Sequence, residues 1–119
     1  MREFVFDFEK LKVYQKSLDF IDEVFKIYRS LPQDYKISIG SNLVRAALSV
    51  ANNLAEGNGK KSDKERNRYF SISLDSDREC ISVFNVMKRQ ALIRDERYEK
   101  LRSAGREITS MICGLIKPN

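Results

Sequence analysis

The sequence predicts an all-α protein: an antiparallel up-down-up-down four-helix bundle forming a single domain over residues 1–119. Three observations predict it. Apolar residues recur at helical spacing in four separate stretches. Only five glycines and two prolines punctuate 119 residues. Helix-favouring Lys, Glu, Arg, Leu and Ile are abundant, and no hairpin signal competes. A chain of this length buries one core.

The four helices are expected at approximately 9–30, 37–56, 63–91 and 96–116. In the first, Leu11, Tyr14, Leu18, Ile21, Phe25 and Tyr28 keep a 3-4-3-4-3 spacing, the mark of a heptad seam. A second apolar stripe (Val13, Phe20, Val24, Ile27 and Leu31) runs beside it, more than one core-facing surface requires. Val13, Phe20, Val24 and Ile27 are therefore expected at a subunit interface. Ahead of this helix, Phe4, Phe6 and Phe8 alternate as in an extended segment. Pro32 ends the helix.

The second helix carries Leu43, Ala46, Ala47, Val50 and Leu54 on its apolar side, with Gly57 and Gly59 expected as a left-handed stop. Ser62-Asp63-Lys64-Glu65 has the capping-box form that opens the third helix. There Tyr69, Ile72, Ser76, Cys80, Val83 and Met87 share one side, with Phe70, Leu74, Ile81 and Phe84 nearby. Asp95 is expected to cap the fourth helix, along which Tyr98, Leu101, Gly105, Ile108, Ile112 and Leu115 repeat the 3-4-3-4-3 spacing.

Several chemistries lack their residues. The chain has no histidine, so the Glu-x-x-His pairs of a di-iron bundle and the usual general base for a serine or cysteine nucleophile are missing. Cys80 and Cys113 are far apart, with no CxxC spacing; both are expected as reduced, buried, apolar residues. Gly57-Asn58-Gly59-Lys60 follows a helix and lacks phosphate-loop spacing. No enzyme activity, metal or cofactor is expected. The opening residues do not read as a signal peptide and no uninterrupted apolar run spans a bilayer, so the expectation is a soluble, cytoplasmic protein with no membrane partner.

The stretch at 45–57, RAALSVANNLAEG, is unusual. From 37 to 55 the only formal charge is Arg45, in a chain that is one-third charged. Arg45, Ser49, Asn53 and Glu56 recur on one helix face, where a solvated surface would carry several lysines and glutamates. They are expected to form a structural polar network with Glu79, Asp75 and Ser76 on the third helix, fixing helix register.

RAALSVANNLAEG, followed by GKKSDKERNRYFSISLDSDRE, resembles the four-helix-bundle family of the 23S rRNA intervening-sequence proteins, in which the pattern reads approximately R-A-x-x-S-x-x-x-N-x-A-E-G. Arg45, Ala46, Ser49, Asn53, Ala55, Glu56 and Gly57 match, as do Arg68-Tyr69, Ser76 and Glu79. The opening FEKLKVYQKSLDF looks like the family's first helix, and the resemblance covers nearly the whole chain. Asn42, Ala51 and Asp75 depart from the family's usual Gln, Pro and Gly. The resemblance implies a homo-oligomer, typically a pentamer. It also implies kinship with accessory variability determinant proteins of diversity-generating retroelements, which bind nucleic acid and a reverse transcriptase.

Charge points the same way. Lys and Arg outnumber Asp and Glu by 22 to 17, net +5. Lys60, Lys61, Lys64, Arg66 and Arg68 crowd the start of the third helix, whose N-terminal amides favour phosphate. A second basic group, Lys88, Arg89, Arg94 and Arg97, lies around the third loop, with Arg102 and Arg106 further on. The expectation is a nucleic-acid-binding accessory protein, for RNA or DNA, acting with little sequence specificity because no base-reading motif is present. The competing expectation is a structural bundle with a polypeptide partner and no nucleic-acid role.

Overall fold

The computed structural model describes residues 5–118. Four helices dominate it: α1 (Lys12–Ser30), α2 (Ser41–Asn58), α3 (Asp63–Arg89) and α4 (Asp95–Leu115). No strand occurs among the described residues. α1 packs on α2, α2 most extensively on α3, α3 on α4, and α4 back on α1. Helices adjacent in sequence are thus neighbours around a square, as short connections require of an up-down-up-down bundle.

Phe4 lies outside the described residues. The segment after it is not extended: Asp7–Lys10 forms a 3-10 turn, with the Phe6 amide donating to Glu9 Oε1 at 2.8 Å. Phe6 stacks on Phe8 and Phe8 meets Tyr14 edge-on at 4.9 Å. Leu11, extended at ψ 120°, separates this turn from α1, so the long helix starts at Lys12 rather than near residue 9.

The second helical rod begins earlier than expected. A helical turn, Gln33–Tyr35, follows Pro32 directly and passes through a π-helical turn, Lys36–Gly40, into α2. Gly40 is buried there, and a Cβ on it would stand 2.9 Å from Leu31 Cδ1 and 3.1 Å from Tyr28 Cδ1. Only a residue without a side chain lets this rod cross the end of α1 so closely.

The glycines ending α2 act differently from the expectation. Gly59 has φ −89°, and no glycine has positive φ among the described residues. Gly57 is buried inside the helix, where a Cβ would meet the Phe70 ring at 2.8 Å; it is a close-packing point, not a left-handed stop. The left-handed cap occurs at the end of α3 instead, on Ala91 (φ 58°). Leu92 N donates to Met87 O at 2.9 Å and Ala91 N to Lys88 O at 3.1 Å, the bond pair of a Schellman motif. Ser62 caps α3 through its hydroxyl, 3.1 Å from Glu65 N, but Glu65 turns to Arg68. Asp95 is not the cap of α4: Arg94 holds that position and Asp95 pairs with Lys88 at 2.7 Å.

The stripe of α1 expected at a subunit interface lies in the core, and the other stripe packs at its margin. Val13, Phe20, Val24 and Ile27 are buried in the chain's own core, so they are not surface available to another subunit. Ser17, also buried, completes their 4-3-4-3 seam, its hydroxyl donating to Tyr14 O at 2.6 Å. Of the other stripe, Leu18 is 41% exposed and only Ile21 is buried. On α3 the expected side is buried in part: Ser76, Cys80, Val83 and Met87 face inward with Phe70, Ser73, Asp77 and Phe84, while Ile72 is 37% exposed. Leu43, Ala46, Ala47, Val50 and Leu54 of α2 and Leu101, Gly105, Ile108 and Ile112 of α4 are buried as expected. Cys80 is buried, its thiol pKa pushed up chiefly by that burial; Cys113 is exposed, not buried, and both are free thiols.

Candidate nucleic-acid interface

The polar stripe of α2 divides in two. Ser49 Oγ lies 2.7 Å from Ser76 Oγ, and Asn53 Nδ2 donates to Ser49 O and Oγ at 2.9 and 3.0 Å. These short side chains join α2 to α3, helped by the buried Ser73 hydroxyl donating to Val50 O at 2.7 Å. The charged members stay outside the network. Arg45 and Glu79 are exposed and form no ion pair among the described residues, and Glu56 reaches only Lys60, at 3.9 Å. A long guanidinium gains nothing from burial without a carboxylate beside it, so Arg45 remains in water.

The five basic residues at the start of α3 also separate. Arg66 is half-buried; its Nη1 donates to Asn58 O at 2.9 Å and Lys60 O at 3.3 Å, and its guanidinium lies over the Phe70 ring. It satisfies the carbonyls at the end of α2, which ties its Nη1 to the fold. Lys60 and Arg68 approach the Tyr69 ring, at 5.2 and 4.7 Å from its centroid, and Arg68 pairs with Glu65 at 3.0 Å. Lys61 and Lys64 are exposed and without an ion pair among the described residues, beside the first-turn amides of α3. The second basic group is half paired: Lys88 meets Asp95 and Arg97 meets Glu23 at 3.6 Å, while Arg89 and Arg94 are exposed without an ion pair among the described residues.

Two features escaped sequence reasoning. One is Asp77, 1% exposed, whose Oδ2 accepts from Thr109 Oγ1 at 2.7 Å while Oδ1 has no partner among the described residues. Burial pushes its pKa up to about 6, partly opposed by the Thr109 hydrogen bond. The other is a groove of about 690 Å³ between α3 and α4, to which Arg78, Asn85, Glu99, Arg102 and Arg106 contribute. Arg102 and Arg106 were expected only as outlying members of the second basic group; Arg78 carried no sequence signal, because its helix partner was not predictable from spacing alone. No group of three or more metal-ligating side chains comes together among the described residues, and no helix is long and apolar enough to cross a membrane.

A family model described as 23S rRNA-intervening sequence protein matches residues 9–114. The chain belongs to that family. No curated protein matches it. Among solved structures it is similar to a protein of unknown function from the S23 ribosomal protein family of Bacteroides thetaiotaomicron, with a TM-score of 0.82 and 23% identity, covering 89% of this chain and 96% of that one. At that identity the likeness speaks for the fold, and it agrees with the four-helix architecture.

Proposed function

We propose that this family member is a non-enzymatic, cytoplasmic accessory protein that self-associates and binds nucleic acid with little sequence preference. The observation that carries the reading is a basic surface left unneutralised at particular places: Lys61 and Lys64 at the N-terminus of α3, and Arg78 and Arg106 along its flank, have no carboxylate partner among the described residues. Exposed cations at a helix N-terminus attract phosphate without reading bases. The family resemblance adds a homo-oligomer, a pentamer by analogy, and RNA, DNA or a reverse transcriptase as partners.

With the second stripe of α1 inside the core, self-association falls to the outer face of α2 and α3. Leu48 and Ile72 are 38% and 37% exposed there, and Arg45 and Glu79 lie one turn from the Ser49–Ser76 bond, each without an ion pair among the described residues. A second copy supplies the missing opposite charges and covers the apolar side chains. The same exposed apolar residues favour the second reading, a bundle whose partner is another polypeptide.

Filter binding with generic RNA and DNA at low and high salt tests the first reading. Binding that falls steeply with salt supports it; no binding at low salt overturns it. Light scattering at micromolar concentration tests self-association, for which a strictly monomeric mass is the contrary result.

A further inference from the structure

We propose that the groove between α3 and α4 seats the phosphodiester backbone of single-stranded nucleic acid; this rests on the nucleic-acid reading above and names its site and ligand class. The contrast with the rest of the surface supports it. Elsewhere some cations meet carboxylates: Lys16 with Glu107, Lys26 and Arg97 with Glu23, Arg68 with Glu65 and Lys88 with Asp95. Others, Arg45, Lys61, Lys64, Arg89 and Arg94 among them, are exposed without an ion pair among the described residues but do not line this groove. In the groove, Arg78, Arg102 and Arg106 share the walls with a single acid, Glu99, and none pairs with a carboxylate among the described residues.

Arg102 is positioned without being neutralised. Its Nη1 donates to Asn85 Oδ1 at 3.0 Å, and the Tyr98 hydroxyl donates to the same oxygen at 2.6 Å. Both partners are neutral, so the guanidinium is oriented while its charge stays available. Planar guanidinium forks bind phosphate oxygens in pairs, which suits arginine rather than lysine to this wall. Arg102 and Arg106 stand one helical turn apart, about 6 Å along the axis, so neighbouring phosphates of an extended strand can meet them in succession, with Arg78 across the groove.

The floor is closed by helix packing: Ile81 fills the space over the buried Gly105, where a Cβ would stand 2.6 Å from Ile81 Cδ1, and it separates the groove from the buried Asp77, which is held by Thr109. Packed helix axes stand about 8–10 Å apart, so the furrow between them admits one strand and not a duplex. The Tyr98 ring already carries Lys88 and Arg102 within 5.9 Å of its centroid, which leaves it no role as a stacking platform. Bases therefore point outward, and the site reads charge and strandedness rather than sequence.

Fluorescence anisotropy with labelled oligo-uridine and oligo-thymidine of about 20 nucleotides, and a duplex of equal length, between about 50 and 200 mM salt tests the site. Arg78→Gln/Arg106→Gln removes side chains that make no bond in the fold, and a matched melting curve verifies that it folds. The double variant should bind single strands at least tenfold more weakly at low salt, with its log–log salt slope reduced by about 1.4, the value for two phosphate contacts on a single strand. Arg102→Lys, which keeps charge but loses the fork, should fall between wild type and the double variant. Unchanged binding by Arg78→Gln/Arg106→Gln, with loss in Lys61→Gln/Lys64→Gln, overturns the groove and leaves the broader function standing. Duplex bound as tightly as single strand, or polyglutamate competing as well as oligo-uridine, overturns it too. Failure of wild type to bind any nucleic acid at low salt overturns both readings.

Discussion

Replacing Asp77 by asparagine should change how stability depends on pH, and the sign follows from the carboxyl's surroundings. Asp77 is 1% exposed, its Oδ1 has no hydrogen-bond partner among the described residues, and burial raises its pKa to about 6 against 3.8 for the free side chain. The folded state therefore binds this proton more tightly than the unfolded chain does. The protonated form's advantage is complete below the unfolded value, near pH 4, and is lost as pH rises through about 6. The rise of about two pH units, at 1.36 kcal/mol each, amounts to ~3 kcal/mol of destabilisation above neutrality. About half of it, ~1.5 kcal/mol, falls between pH 5 and pH 8. Asparagine keeps the shape and an acceptor for Thr109 but carries no charge; its unpaired amide costs about 1–3 kcal/mol at every pH. The robust quantity is the difference between the proteins. Urea unfolding at pH 5 and pH 8 should show Asp77→Asn gaining ~1.5 kcal/mol on wild type over that interval. Other carboxylates titrate in both proteins and cancel. A difference that does not vary with pH, or that moves in favour of wild type as pH rises, would refute the reasoning.

Backbone geometry and core packing supply three further tests. Ala91→Gly relieves a left-handed alanine (φ 58°) and should raise stability by ~1 kcal/mol in urea unfolding at unchanged m-value. Gly57→Ala drives a methyl to 2.8 Å from the Phe70 ring and should destabilise by about 1 kcal/mol net of its helix-propensity gain, whereas Gly114→Ala, with nothing within 4 Å, should be neutral or stabilising. Val24→Ala empties fully buried volume and should cost about 2 kcal/mol in unfolding free energy without altering the native mass measured by light scattering, as befits a core residue rather than an interface one.

Helix number, order and approximate extent were legible because each rod carries a long apolar repeat and the first two connections carry proline, glycine or a capping serine. The facing of α1 was not, and that of α3 was legible only in part. The seam of α1 runs Val13–Ser17–Phe20–Val24–Ile27; on α3 the expected Ser76, Cys80, Val83 and Met87 are buried, and Phe70, Ser73, Asp77 and Phe84 join them. Polar residues interrupt both seams, so counting apolar residues missed Ser17, Ser73 and Asp77. Ser17 and Ser73 survive inside because their hydroxyls bond backbone carbonyls, at 2.6 and 2.7 Å, and so bury no unsatisfied donor. That compensation depends on how the backbone lies, on its own helix or across to another, which no spacing rule contains. α2 and α4, whose seams hold only apolar or small residues, were placed on the correct face.

The same reasoning sorts the charges. A run of basic letters such as Lys60–Lys61 and Lys64–Arg66–Arg68 carries no information about which side chains bend back onto their own fold. Arg66 does, because the end of α2 leaves carbonyls that need donors and Phe70 offers a ring to cover its guanidinium; Lys61 and Lys64 have no such neighbours. Conversely, Arg78 is separated from Arg102 and Arg106 in sequence by a whole loop, and the three line one groove only when α3 and α4 pack. A phosphate ligand responds to cations that the fold has left unneutralised, so the relevant charge of this protein is not its net +5. It is the small subset for which the bundle provides orientation and no counter-ion, and Arg102, aligned by the uncharged Asn85, is the clearest member of that subset.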